Sequence, residues 1–197
     1  EMRENNIPEW FIESCKKISY LFPRAHAVAY VMMAFRIAWF KVYHPLAFYA
    51  AYFSIRAKAF DLRIMTGDLK TQMTEFNRIK ALDRGASPKD KDLMSALEVS
   101  MEMYQRGYRF VNVDIQHSEA RRFSIKDGAL LPPFLAIDSL GETVADAIVA
   151  EREERPFTSL KDLQRRCKVS NTIIDLMKEL KCCGELPEDE QMSLFGA

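Results

Sequence analysis

Apolar positions recur at helical spacing along most of this chain and alternate in strand fashion only over a short middle stretch, a pattern that predicts a mainly α fold with a small β element. Pro8 can open a helix running through Trp10, Phe11 and Ile18, because the N–H that proline lacks has no intrahelical partner in a first turn. Pro23 does the same for a second helix, from Arg24 to about Tyr43, which contains no glycine or proline. Apolar residues cover most of its circumference, so burial on most sides is expected. Pro45 opens a third helix through Ala47, Tyr49, Ala51 and Phe53, and the three are expected to be closely coupled.

Beyond them the chain turns more polar. Asp68 to Leu82 reads as an amphipathic helix, Arg84 to Pro88 as a break, and Ser87 as the N-cap of a helix that reaches Arg106 and stops at Gly107. The period then shortens to two. Arg109 to Ile115 and Arg122 to Lys126 alternate polar and apolar ahead of Asp127-Gly128, which predicts two or three short strands. From Pro132 short helices return. One over Pro133 to Ile137 is followed by a tight turn at Leu140-Gly141 and a second helix from Glu142, with small Ala145 letting the pair approach and Ile148 facing their joint core. This is the outline of a helix-hairpin-helix. Ser159, three residues before Asp162, resembles a capping box; Ser170 precedes the last apolar run, and Gly184 ends it. No internal repeat stands out.

With 197 residues, 48% of them hydrophobic, the chain can fill one sizeable core or two small ones. It starts at Glu1, without an initiator Met, in the middle of a charged, helix-like phrase, and is read as a fragment. The formal net charge is zero, but the ends differ: residues 1–60 carry a basic surplus, and residues 184–197 carry acidic groups only. A basic front suits a polyanion and an acidic end suits a solvated arm. Cys15, Cys167, Cys182 and Cys183 show no metal-ligand spacing and read as reduced thiols of a cytoplasmic protein, with adjacent Cys182 and Cys183 as packing or surface residues. The longest apolar stretch, Ala27 to Phe40, is interrupted by Arg36 and falls short of the ~20 residues of a bilayer span, so a buried helix and no membrane partner are expected.

Three features carry candidate chemistry. A hairpin at Leu140, Gly141, Glu142 and Thr143 exposes main-chain N–H groups at the start of its second helix, where unpaired donors and the helix dipole favour a phosphate. Basic Arg165, Arg166 and Lys168 follow it, while Ser139 stands where such hairpins usually carry their first glycine. At the end, Gln191, Met192, Leu194 and Phe195 place apolar side chains after an acidic arm, Glu185 to Glu190, and ask for a partner pocket or for the chain's own core. Near the front, His26 and Tyr30 share a helix face and Arg24 lies in the first turn, near Lys16 and Lys17; the group could hold a triphosphate and pack on a base, or be a core histidine with a solvated arginine.

Taken in order, Phe22-Pro23-Arg24-Ala25-His26-Ala27-Val28-Ala29-Tyr30, the run from Phe40 to Phe53, Leu131-Pro132-Pro133-Phe134 with the hairpin, and Gln191-Met192-Ser193-Leu194-Phe195 resemble the last part of C-family replicative DNA polymerases of the PolC type, over nearly the whole chain. The resemblance implies a fingers remnant over 1–62, a helical connector over 63–107, short strands over 108–130, a helix-hairpin-helix duplex-binding domain over 131–184 and an acidic clamp-binding tail over 185–197. It makes Arg24, His26 and Tyr30 candidate nucleotide-site residues, gives Leu140, Gly141, Glu142 and Thr143 to duplex DNA, and gives Gln191, Met192, Leu194 and Phe195 to the sliding clamp. The implied activity is DNA-directed DNA polymerisation by the parent protein, with dNTP and the rest of the polymerase chain as partners. Its Mg²⁺ would be held by palm carboxylates upstream, so no catalytic residue, metal or bound cofactor is assigned here, and the fragment is not expected to be active alone. The alternative is a free-standing helix-hairpin-helix DNA-binding or repair accessory.

Overall fold

Prolines and short polar side chains set most of the helix starts in the computed structural model, which describes residues 1–18 and 23–189. Helix α1 spans Glu9–Lys16 with Pro8 as its N-cap, and Ile18 lies past its end rather than inside it. Helix α2 spans Arg24–Tyr43. Both belong to a first compact unit, Glu1–Tyr43; the second begins at His44. The fingers remnant was expected to run to residue 62. The difference arises because the third helix, α3 (Pro45–Ile55), buries Tyr49 and Phe53 in the core of the second unit.

Two expectations about α2 fail. None of its residues is buried, and Phe35 is 73% exposed, because apolar residues all round a helix need cover on every side and the described residues do not supply it. At 20 residues it is also long and apolar enough to cross a membrane, a test that core helices of soluble proteins pass as well. The shorter count from Ala27 to Phe40 left out the apolar residues flanking that stretch.

In the second unit the caps are local. Asp61 accepts from the N–H of Ile64 to start α4 (Leu62–Met65), and Asp68 from that of Thr71 to start α5 (Leu69–Ala81). Ser87 and Asp90 form a reciprocal capping box at the head of α6 (Pro88–Gln105), which stops at Gly107 with φ +85°. Buried Gln72 links these helices, donating to the Met65 carbonyl at 3.1 Å and accepting from Ser100 Oγ at 2.6 Å. Tyr49, Phe53, Leu97 and Met103 centre this first core.

The β element is smaller than expected. Strands β1 (Ser124–Lys126) and β2 (Ala129–Leu131) pair antiparallel across Asp127-Gly128, with Ile125 opposite Leu130. Arg109 to Ile115 forms no strand and makes one isolated bridge, Phe110 to Leu130. Asn112 instead bonds its own neighbour, Val113 N–H, and the Leu180 carbonyl, and Asp114 turns the chain by accepting from Gln116 N–H at 2.8 Å. Phe110, Val113 and Ile115 are nevertheless buried.

The remaining helices, α7 (Glu142–Glu154), α8 (Leu160–Cys167) and α9 (Asn171–Glu179), close on a second core around Phe134, Ile148, Leu163 and Met177. The segment expected to be a helix over Pro133 to Ile137 is a single 3₁₀ turn, Phe134–Ala136. Cys167, Cys182 and Cys183 pack inside this core.

Candidate nucleic-acid interface

The first hairpin is built around one residue in a strained backbone region. After the 3₁₀ turn, Ser139 takes φ +63°, Leu140 turns inward and is buried, and Gly141 sits extended at φ −75°, ψ 157° as the N-cap of α7. The left-handed position is thus the serine, where glycine would carry no Cβ strain. The first α7 amides with a backbone partner are those of Val144 and Ala145, both donating to Gly141 O, at 3.1 and 3.0 Å. No side chain caps the helix, so the N–H groups of Glu142 and Thr143 stay open to an acceptor from outside. Gly141, Glu142 and Thr143 are exposed while Leu140 offers only backbone, so of the four assigned positions three form the accessible rim.

Acidic groups beside such a turn would repel a phosphate, and here they are held by a residue that sequence reasoning missed. Arg121 donates to Glu142 at 2.5 Å and through Nε to Asp146 at 3.0 Å. Its hydrogen bond keeps the Asp146 carboxyl below the usual carboxylate range. Nothing local signals this pairing, since Arg121 lies 21 and 25 residues away from its partners.

The same backbone run occurs a second time. Between α8 and α9, Lys168 takes φ +54°, Val169 is buried, and Ser170 sits extended at φ −70°, ψ 155° as the N-cap of α9. Ser170 Oγ accepts from Ile173 N–H at 3.3 Å, which leaves the amides of Asn171 and Thr172 facing outward with exposed Lys168 beside them. The two turns share no residue identities, Ser-Leu-Gly against Lys-Val-Ser, so the sequence showed no repeat; the common signal is left-handed, buried, extended.

An ionic knot joins the hairpins. Asp162, with a fully buried side chain, accepts from Arg165 at 2.8 Å and from Arg155, Arg166 and the Thr158 N–H at 3.3 Å. Arg166, 10% exposed, also meets Glu151 at 2.9 Å, bonds the carbonyls of Glu151 and Arg155, and lies 4.7 Å over the Phe157 ring. Arg166 is therefore a structural cation; burial among four acceptor groups and a ring fixes it. Arg165 stays 70% exposed despite its pairing with Asp162.

Arg24, His26 and Tyr30 are exposed on α2, with the His26 and Tyr30 rings 4.5 Å apart edge to face, and Lys16 is paired with Glu13 at 2.6 Å. Gln191, Met192, Leu194 and Phe195 lie outside the described residues. The acidic arm, expected to be solvated, is tied down through Asp189: Leu160 and Lys161 donate their N–H groups to Pro187 O and Glu188 O at 2.9 and 3.2 Å, and Glu188 and Asp189 pair with Lys178 and Lys161. Those carbonyls occupy the head of α8, which is thereby closed to a phosphate. Among the described residues no three His, Cys, Asp or Glu side chains converge as a metal site.

A family model described as a helix-hairpin-helix motif matches residues 107–191, spanning both turns. A protein of Caldanaerobacter subterraneus subsp. tengcongensis named DNA polymerase III PolC-type is 48% identical over 99% of this chain. The chain is homologous to a segment of PolC-type DNA polymerase III. A protein of the same name from Streptococcus pyogenes serotype M12 is 49% identical over 98% of the chain. The chain spans 14% of the length of the first relative and 13% of the second. The mainly α fold with a small β element agrees with the expectation.

Proposed function

We propose that this chain is the duplex-gripping part of a DNA-directed DNA polymerase, holding DNA without regard to sequence through the paired turns at Ser139-Leu140-Gly141 and Lys168-Val169-Ser170. The observation that carries the reading is the repeated geometry, which presents open first-turn N–H groups at the heads of α7 and α9. Such donors recognise phosphate oxygens and position a protein on a duplex without reading bases. The relatives named as PolC-type polymerases support the polymerase setting. Within it, Arg24, His26 and Tyr30 are proposed to face an incoming dNTP, and Gln191, Met192, Leu194 and Phe195 to tether the chain to a sliding clamp. The polymerisation chemistry and its Mg²⁺ are assigned to the rest of a longer cytoplasmic polymerase chain.

Two substitutions at one position separate the amide from the acid. Glu142→Pro removes an N–H from a position where proline is tolerated, since Gly141 before it is already extended. It should weaken binding to a blunt duplex about tenfold, the worth of one charge-assisted hydrogen bond, although it deletes a negative charge. Glu142→Gln deletes the charge and keeps the N–H, and should bind as tightly as the parent or tighter. Anisotropy titrations with two unrelated duplexes should agree, with log affinity falling against log salt at a slope of about −2 to −3 for two or three displaced cations. Strong preference for one duplex, or equal affinities for the parent and Glu142→Pro, would contradict the reading.

A further inference from the structure

Beside the first hairpin lies an open groove of about 590 Å³ that the duplex reading leaves unused. Its walls come from the chain after α3, the first turn of α6, the segment around Arg121 and Phe123, and the hairpin entry at Ala136 and Asp138. The floor is aromatic. Phe60 and Phe123 are half-buried with ring centroids 5.0 Å apart, and the Phe123 N–H donates to Ser54 Oγ of α3 at 2.9 Å, which fixes that segment in place. On the rim, Lys58 and Lys89 are exposed and form no ion pair among the described residues.

Charge decides which ligand suits the groove. Arg121 is already held by Glu142 and Asp146, and Asp92 and Asp138 balance the two lysines in formal charge. A bare polyphosphate would therefore find little net attraction, and the stacked bases of a duplex could not reach the rings. Unpaired bases can: every base has a face that stacks on an aromatic side chain, and its flanking phosphates need only discrete ammonium groups nearby. We infer that the groove binds a short single-stranded stretch of nucleic acid, with bases against Phe60 and Phe123 and phosphates on Lys58 and Lys89. This goes beyond the duplex grip, with which the groove shares only Arg121 and the hairpin entry.

The test uses the 197-residue chain and its Lys58→Gln/Lys89→Gln variant, each titrated with a fluorescent oligothymidine of about 8 nucleotides and with a blunt duplex. Both substituted side chains are exposed, so the fold should survive. The oligothymidine should bind the parent and lose about tenfold or more in the variant, with a salt slope shallower by about 1.4 for two phosphate contacts, while duplex affinity stays unchanged. Phe123→Leu, which keeps an apolar filler without a stacking face, should weaken the oligothymidine alone. Three results overturn the inference: no oligothymidine binding at low salt, equal oligothymidine affinity in parent and lysine variant, or displacement by an oligoglutamate as effective as by unlabelled oligothymidine. Oligothymidine binding that persists without any duplex binding supports the groove and refutes the hairpin reading.

Discussion

Removing the charge of Asp162 should disturb the hairpin unit more than other single carboxylate substitutions. Burial alone would raise its pKa, but the Thr158 N–H and the Arg165 and Arg166 side chains outweigh it and hold the group below the usual carboxylate range. Asp162→Asn keeps the shape, removes the charge, and turns an NH₂ toward donors that need an acceptor. Orphaning a buried charge costs about 3–5 kcal/mol. Arg166 retains Glu151 at 2.9 Å, and Arg155 and Arg165 can rehydrate, so the expected loss is about 2–3 kcal/mol. Urea unfolding followed by far-UV circular dichroism would register this as a midpoint about 1 M lower. The pH dependence follows from the sign of the shift. Because the folded pKa is depressed, the contribution is complete above the unfolded value, about 3.9, and disappears as pH falls through the folded value. The parent should therefore lose stability below about pH 4 more steeply than the variant. A midpoint within about 0.2 M of the parent, or matching acid profiles, would show that the knot adds nothing to stability.

Ser139→Gly should stabilise the protein by about 0.5–1 kcal/mol, as relief of left-handed strain exceeds the entropy glycine adds to the unfolded chain; a thermal midpoint that falls would contradict the assignment of φ +63°. Gly107→Ala meets no atom within 4 Å of the new Cβ but must adopt φ +85°, so it should cost about 1 kcal/mol through backbone strain alone, and Gly107→Asn less. Burial pushes the Cys182 thiol up to about 12 and those of Cys167 and Cys183 to about 11. With thiolate scarce at mildly alkaline pH, a chromogenic thiol reagent should modify half-buried Cys15 promptly and the others only on unfolding; equal native rates for all of them would refute this.

What the sequence made legible was local. Asp68, Ser87, Ser159 and Ser170 each accept an N–H from three residues ahead, so a cap and the helix it starts fall within one short window. The turn into α7 was legible for the same reason. Arg121 with Glu142 and Asp146, Arg166 with Glu151, and the Pro187 and Glu188 carbonyls with the head of α8 are contacts between distant segments, and no spacing rule reaches them. The second turn was local but had no glycine to mark it: its left-handed residue is Lys168, as that of the first is Ser139.

Periodicity reports which side chains favour burial and says less about what buries them. Arg109 to Ile115 alternates as a strand should, and Phe110, Val113 and Ile115 are indeed inside, yet only Phe110 finds a backbone partner for a bridge. The side-chain half of the expectation holds because burial acts on each residue, whereas a ladder needs a second strand in register. Helix α2 shows the opposite outcome. Its apolar circumference is as evident as any in the chain, and no residue of it is buried, because cover is a property of neighbours and not of the helix. The same distinction orders the functional claims. A phosphate cradle made of first-turn amides is contained within its own few residues and can be argued from them, whereas the aromatic groove becomes visible only once α3, α6 and the hairpin entry are brought together.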